Sequence, residues 1–184
     1  IIFLMTLAPL PVQAHTSMPP AAVRLILNTM SPQERVGQLF LVTFQGTDTS
    51  TTSQIYNLIS RYHVGGVMLM SDNNNFSGQN TVFQTHALID SIQRVEWESA
   101  VTPAQDPLTG EISTPTYVPL FIGIAQEGDG HPTDQILSGL TPLPSEMAIG
   151  ATWNLDLAEQ VGAIRGRELA ALGFNFHIGL SLDV

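Results

Sequence analysis

The chain has 184 residues, of which 43% are hydrophobic and 12% are charged, so it can bury a sizeable core and is not a disordered protein. Sixteen acidic against six basic residues give a formal net charge of -10, which argues against an extended nucleic-acid surface, because phosphate binding needs clustered Lys and Arg. Cysteine is absent, so disulfides and thiolate metal sites are excluded as well.

The apolar residues 1–14 end in a small-residue cleavage site before His15, a pattern typical of the remnant of a secretory signal peptide. Pro9, Pro11 and a length below the roughly 20 apolar residues of a spanning helix argue against a transmembrane segment. A membrane anchor and a segment of the core are the alternatives. We expect a secreted or cell-envelope protein with no membrane span in its mature chain, in which residues 15–29 form a linker.

The first βαβ unit is predicted between residues 31 and 70. The run Ser31-Pro32-Gln33-Glu34 combines a capping serine, proline at the first helical position and glutamate at the third, so a short helix is expected there. The uncharged, β-prone residues 39–44 predict a first buried strand. Helical spacing of apolar residues follows over 52–62, and residues 64–70 are expected to form the second strand.

The middle of the chain contains one more helix and one more strand. Residues 71–80 are expected to form a polar loop, and residues 82–92 have the apolar spacing of a helix. The proline-containing residues 100–117 predict a long irregular connection. Residues 119–125 are apolar without interruption, which favours a third strand covered on both faces, and residues 130–149 predict a second irregular connection.

The last helix is predicted to begin after the N-cap Asn154 and to end at Leu172, with Gly173 in a left-handed conformation, before a fourth strand over 174–178. Strands that alternate with helices predict an α/β fold with a parallel sheet. No Gly-x-Gly-x-x-Gly follows the first strand, which argues against a Rossmann sheet. We therefore expect the first half of a TIM (β/α)8 barrel, four parallel strands alternating with helices, incomplete at the C-terminus.

Acidic side chains follow the third strand directly. Glu127 and Asp129 come after the apolar run, next to Gly128 and Gly130, where a parallel α/β protein places its chemistry. We expect Glu127 to accept hydrogen bonds from a ligand or to orient a partner. The alternative is a carboxylate bonded to the amides of its own glycine turn. Asp129 is a weaker candidate of the same kind, because loop aspartates are common in turns alone.

Other polar and aromatic residues receive structural interpretations. Glu127, Asp129 and His131 alternate and could be imagined as metal ligands, but no fourth ligand is evident. Arg165 and Glu168 are expected to form a surface ion pair. His177 is interpreted as a core histidine, with a role as a ligand as the alternative. Trp153 is interpreted as a hydrophobic anchor, with stacking against a sugar as the alternative.

The order of these segments resembles the N-terminal barrel domain of glycoside hydrolase family 3, which includes β-N-acetylhexosaminidases and β-glucosidases. The matching segments are Met30-Ser31-Pro32-Gln33-Glu34-Arg35-Val36-Gly37-Gln38-Leu39, residues 64–69, 119–130, 141–145 and 148–152, and residues 167–175 with Leu182-Asp183-Val184. The resemblance covers residues 30–184 and implies that they form the N-terminal part of the family barrel.

The resemblance implies retaining cleavage of terminal β-linked sugars, which needs a nucleophilic aspartate and a separate acid/base group. In the family these catalytic residues lie in segments downstream of the position of Val184, so no catalytic residue is expected within the chain, and no cofactor is implied. Asp183 matches the aspartate that closes the family's Pro-Val-x-Asp-Val. The resemblance therefore implies a carbohydrate substrate bound by Glu127, Asp129 and Asp183, with Glu127 and Asp183 at one rim of the barrel.

Two departures concern the sugar site. The family usually has Asp-x-Glu-Gly-Gly, whereas this chain has Ala125-Gln126-Glu127-Gly128-Asp129, and alanine cannot accept a hydroxyl hydrogen bond. The arginine that usually follows the glycines is also missing across residues 131–135. The alternative function is therefore a catalytically inactive glycan-binding or cell-envelope protein on the same scaffold.

Overall fold

The computed structural model describes residues 20–76, 80–105, 110, 112–128, 130 and 134–179. The elements are, in chain order, α1 (Ala21–Thr29), α2 (Pro32–Gly37), β1 (Leu41–Val42), α3 (Gln54–Tyr62), β2 (Gly66–Met68), a 3-10 turn (Ser71–Asn73), α4 (Thr81–Val101), β3 (Ala104–Gln105), β4 (Ile112–Ser113), β5 (Phe121–Ala125), α5 (Glu146–Ala151), α6 (Leu155–Leu172) and β6 (Phe176–Ile178). In the described part of the chain, no helix is both long and apolar enough to span a bilayer.

Four strands form one parallel sheet in the order β1-β2-β5-β6. Val42 is aligned with Val67, Val67 with Ile122, and Ile124 with His177, so each strand is in register with the next one of the sheet. Helices connect every neighbouring pair, as parallel strands require. The α/β class and the four parallel strands predicted from the sequence are confirmed.

Several helix ends lie where capping residues predict them. The Ser31 hydroxyl accepts from the Glu34 amide at 3.2 Å, while the Glu34 carboxylate accepts from the Ser31 amide at 2.7 Å, which completes a capping box before α2. Asn154 accepts from the Leu157 amide at 3.2 Å before α6, and Gly173 ends that helix with a φ of 99°.

The core lies between the sheet and its helices. In β5 and just before it, Leu120, Ile122 and Ile124 are fully buried, because neighbours cover both faces of this central strand. Ile55 and Ile59, four residues apart on α3, pack into the same cluster. Burial of each such side chain contributes roughly 1.5–3 kcal/mol.

The first strand is shorter and more exposed than its uncharged sequence predicts. It comprises Leu41–Val42, and Leu39, Phe40 and Leu41 are all exposed. β1 is an edge strand that pairs with β2 on one side. The prediction of a buried first strand was therefore wrong for the described sheet, in which β1 has a neighbour on one side.

Regular structure also occurs where irregular chain was predicted. The connection over 100–117 contains the antiparallel pair β3 and β4, and that over 130–149 contains the start of α5. The helix predicted over 82–92 extends to Val101. Within the predicted linker, Ala21–Thr29 form α1, which has no buried residue, so tertiary packing does not bury this helix.

Candidate functional site

The carboxyl ends of the parallel strands lie at one edge of the sheet, and hydrogen bonds join the loops there. After β1, the Gly46 amide donates to the Asn73 carbonyl at 2.7 Å. Asn75 is buried and donates to the carbonyls of Phe44 and Gly46 at 3.2 and 2.6 Å, while it accepts from the Met70 amide at 2.9 Å. The loops after β1 and β2 are thus bound to each other.

The segment 134–136 crosses this edge and joins β5 to β2. Gln126, directly after β5, donates to the Ile136 carbonyl at 2.9 Å and accepts from the amides of Gln135 and Ile136 at 3.1 and 3.0 Å. The Gln135 side chain accepts in turn from the amide and the hydroxyl of Ser71 at 2.7 and 3.0 Å. Both amide side chains therefore anchor the chain that follows the Glu127 turn.

Asp134 closes the turn after β5. Its Oδ1 accepts from the amides of Glu127 and Gly128 at 2.6 and 2.7 Å, and its Oδ2 accepts from the Gly130 amide at 2.9 Å. Asp134 is buried, so these charge-assisted bonds form away from water. The turn needs glycine because φ is 96° at Gly128 and 82° at Gly130. Sequence reasoning missed Asp134; its signal was a lone carboxylate just beyond a glycine-rich turn.

Two later side chains hold the carbonyls of the same turn. The Arg165 guanidinium on α6 donates to the Glu127 carbonyl at 2.5 Å. The His177 Nε2 on β6 lies 2.8 Å from the Gln126 carbonyl oxygen. The carbonyls of Gln126 and Glu127 are therefore held by side chains from α6 and β6.

The Glu127 carboxylate has no hydrogen-bond partner among the residues that the structure describes, and the side chain is half-buried. The alternative interpretation was that this carboxylate bonds the amides of its own glycine turn. The amides of Glu127, Gly128 and Gly130 donate to Asp134 instead. A carboxylate on a rigid, satisfied backbone can accept hydrogen bonds from a ligand without rearranging the turn.

The other two predicted substrate-binding residues, Asp129 and Asp183, lie outside the described residues. His131, which was considered as a metal ligand with Glu127 and Asp129, also lies outside them. Their positions relative to Glu127 stay predictions. Across the described ranges, no group of three or more His, Asp or Glu side chains could hold a metal ion. Ala125, which stands in place of the family's aspartate, is the last residue of β5 and is half-buried.

The predicted ion pair between Arg165 and Glu168 was wrong. Arg165 is buried and its Nη1 lies 3.5 Å from Oε1 of Glu146. Glu168 accepts from the amide and the hydroxyl of Thr141. Both α6 side chains thus bind the connection between β5 and α5, because the tertiary fold brings that connection onto the helix.

The structural interpretations of Trp153 and His177 were also wrong. Trp153 is 94% exposed and has a φ of 54°, so it anchors no core in the described structure. His177 is exposed on β6, at the opposite sheet edge from β1, and its ring reaches the turn after β5 rather than the core.

The opposite end of the sheet holds two buried carboxylates. Burial favours the neutral form of Glu34, but bonds from the amides of Thr116 and Ser31, with the charge of His63, outweigh it and lower the pKa of Glu34 from its ordinary value. Burial raises the pKa of Glu96 to about 7, against a 3.4 Å bond from the Val118 amide.

A cavity of about 1530 Å³ opens beside Glu34, lined by segments that precede β1, β2 and β5. This cavity lies at the amino ends of the strands, far from the Glu127 turn. We place the candidate site at the carboxyl ends, because the Glu127 carboxylate there bonds no described residue and because parallel α/β barrels position their chemistry on that side.

Comparisons with known proteins show the family of the chain. The model of the glycosyl hydrolase family 3 N-terminal domain matches residues 31–184. A β-N-acetylglucosaminidase/β-glucosidase of Cellulomonas fimi is 31% identical over 165 residues, 89% of this chain and 23% of that protein. A β-hexosaminidase A of Pseudoalteromonas piscicida is 30% identical over 139 residues, 74% of this chain and 20% of that protein.

A solved structure is similar over the same region. The family 3 β-N-acetylglucosaminidase from Paenibacillus sp. str. FPU-7 has a TM-score of 0.65 and 30% identity, and the match covers 84% of this chain and 25% of that chain. The chain spans about a quarter or less of the length of these relatives.

Proposed function

Because the chain belongs to glycosyl hydrolase family 3, we propose that the complete protein hydrolyses terminal β-linked sugars by a two-step retaining route. The names of the similar proteins favour β-linked N-acetylglucosamine or glucose as the sugar released. The chain itself would supply sugar-binding groups, while the nucleophile and the acid/base group would come from segments beyond the position of Val184.

The observation that carries this proposal is the Glu127 carboxylate, which bonds no described residue, on a turn where the amides of Glu127 and Gly128 and the Glu127 carbonyl are already bonded. Carboxylates accept hydrogen bonds from sugar hydroxyls, and a pre-organised acceptor loses little entropy when it binds. We propose Asp129 and Asp183 as further acceptors on the same rim. The formal charge of -10 is compatible with a neutral substrate.

The second candidate is a protein that binds glycans without cleaving them. Ala125 favours it, because the position that holds a hydroxyl-binding aspartate in the family has a methyl group here. In this case the complete protein would bind a β-linked sugar and release no product.

The deciding experiment uses the complete gene product with p-nitrophenyl N-acetyl-β-D-glucosaminide and p-nitrophenyl β-D-glucoside. We expect release of nitrophenol, a first product of retained anomeric configuration by NMR, and a loss of roughly 100-fold in kcat/KM in Glu127→Gln. The matched control is Glu159→Gln, at an exposed position of α6, which should keep wild-type kinetics.

Absence of turnover together with binding of the sugar in calorimetry would favour the glycan-binding alternative. An inverted first product would contradict the retaining route. Unchanged kinetics in Glu127→Gln would remove Glu127 from the site.

We also propose that the protein is exported, because residues 1–14 have the apolar pattern and small-residue end of a signal peptide. Expression of the complete gene in a bacterial host should place the protein outside the cytoplasm, with His15 as its first residue by N-terminal sequencing. A cytoplasmic protein that retains residues 1–14 would contradict this proposal.

A further inference from the structure

A cation interrupts the buried stripe of α6. The residues of this helix that face the interior are Val161, Arg165, Leu169 and Leu172, spaced by three or four positions as one helix face requires. Arg165 is 8% exposed and is the charged member of that stripe. Burial of a charge is costly unless it finds partners, so the contacts of this guanidinium indicate what it does.

Arg165 joins the turn after β5 to the start of α5. Its Nη2 donates to the Glu127 carbonyl at 2.5 Å, and its Nη1 lies 3.5 Å from Oε1 of Glu146. Its Nε is buried and bonds no described residue. The guanidinium therefore makes its short contact with the backbone of Glu127 rather than with a carboxylate.

The contacts immobilise the two peptide planes that flank Glu127. The plane before it is held through the Glu127 amide, which donates to Asp134 at 2.6 Å, and through the Gln126 carbonyl, whose oxygen lies 2.8 Å from the His177 Nε2. The plane after it is held at both edges, through the Gly128 amide on Asp134 at 2.7 Å and through the Glu127 carbonyl on Arg165. Because peptide units are planar, these bonds leave the side-chain torsions as the main freedom of Glu127.

Gly128 shows how closely Arg165 approaches this turn. A Cβ at residue 128 would lie 2.9 Å from the Arg165 Nη2, and the φ of 96° at that position also disfavours other residues. The turn and the guanidinium therefore fit each other without space for a side chain between them.

We propose that Arg165 is a positioning residue for Glu127: it holds the carbonyl of that residue, and so sets where the carboxylate stands over the sugar. This inference rests on the proposed function of Glu127 as a sugar-binding group. A displacement of about 1 Å at a binding group costs roughly 100-fold in rate, which is the scale of effect expected when this support is removed.

The test compares variants of the complete gene product with p-nitrophenyl N-acetyl-β-D-glucosaminide, well below the lowest melting temperature. Arg165→Met should lose roughly 30- to 100-fold in kcat/KM. Arg165→Lys keeps a charge that can reach the carbonyl and should lose about tenfold or less. The matched control Arg167→Met, at an exposed position two residues along the same helix, should stay at the wild-type value.

A double-mutant cycle separates positioning from a general structural role. If Arg165 acts through Glu127, then Arg165→Met combined with Glu127→Gln loses no more activity than Glu127→Gln alone. Multiplied losses in the double variant would overturn the inference. If Arg165→Met fails to fold, Arg165→Lys replaces it in the cycle, with the same two outcomes.

The cycle also distinguishes this inference from the proposed function. A large loss in Glu127→Gln with wild-type kinetics in Arg165→Met would contradict the positioning role alone. Wild-type kinetics in Glu127→Gln would contradict the sugar-binding role of Glu127, and the positioning role with it.

Discussion

At the amino end of the sheet, Glu34 and Glu96 are buried and their carboxylates bond the backbone that leads into β5, whereas at the carboxyl end the Glu127 carboxylate is left without a described partner. The difference lies in which group satisfies the backbone. Glu34 accepts from Ser31 and Thr116 itself, while the amides around Glu127 are satisfied by Asp134.

A carboxylate beside a turn is available for a ligand when another acidic side chain accepts the hydrogen bonds of the turn's amides. At the carboxyl end that side chain is Asp134, seven residues after Glu127. At the amino end Glu34 itself binds the backbone, because each of its two oxygens accepts a hydrogen bond from a backbone amide. We therefore interpret Glu34 as structural, and the contrast supports the proposed role of Glu127 in binding a ligand.

Substitution of Asp134 is the change with the largest expected effect on the Glu127 turn. In Asp134→Ala, three amides lose their acceptor, and an unsatisfied buried donor costs about 1–3 kcal/mol. We expect the free energy of unfolding of the complete protein to fall by about 3–5 kcal/mol, with a loss of activity as the Glu127 turn loosens. Chemical denaturation measures the first effect.

The control for that change is Asp134→Asn, which keeps one acceptor oxygen and should lose about half as much stability. A loss below about 0.5 kcal/mol in Asp134→Ala would show that the turn holds its shape without the carboxylate, and would remove the basis of the contrast.

At the amino end, the buried Glu96 predicts a dependence of stability on pH. Its pKa is raised from 4.5 to about 7 in the folded protein, so the folded state binds more protons than the unfolded state between these values. Stability from this group is fully present below about pH 4.5 and is lost as the pH rises to about 7. The total effect is about 3 kcal/mol.

The variant Glu96→Gln removes this effect, since it cannot ionise. We expect it to be more stable than the wild type at pH 8 by up to about 3 kcal/mol, with little difference at pH 5. Urea denaturation at several pH values measures the change. The same difference at both pH values would contradict a titrating Glu96.

The smallest expected effect on stability concerns the capping box formed by Ser31 and Glu34. Ser31→Ala removes the hydroxyl that accepts from the Glu34 amide and should cost about 1 kcal/mol in the free energy of unfolding. Gln33→Ala, at an exposed position of the same turn, is the control and should change stability by less than about 0.5 kcal/mol. Equal effects of both substitutions would mean that the cap contributes nothing specific.

Features that depend on neighbouring residues could be predicted from the sequence. The capping box at Ser31, the bounds of α6 between Asn154 and Gly173, and four strands in parallel order follow from rules that act within a turn or along one element. The position of Glu127 at the end of a buried strand follows from the same rules. Exposure of β1 does not, because it depends on which strands lie beside β1 in the described sheet.

The chain's pattern of apolar runs and caps determined the class of fold and the edge of the sheet where Glu127 lies. Its contacts were decided by the tertiary structure: Arg165 bonds Glu127, 38 positions earlier, instead of Glu168 three positions away. The physical reason is that hydrogen bonds form between groups that packing brings within about 3 Å, and packing joins elements whose distance along the chain carries no information about that contact.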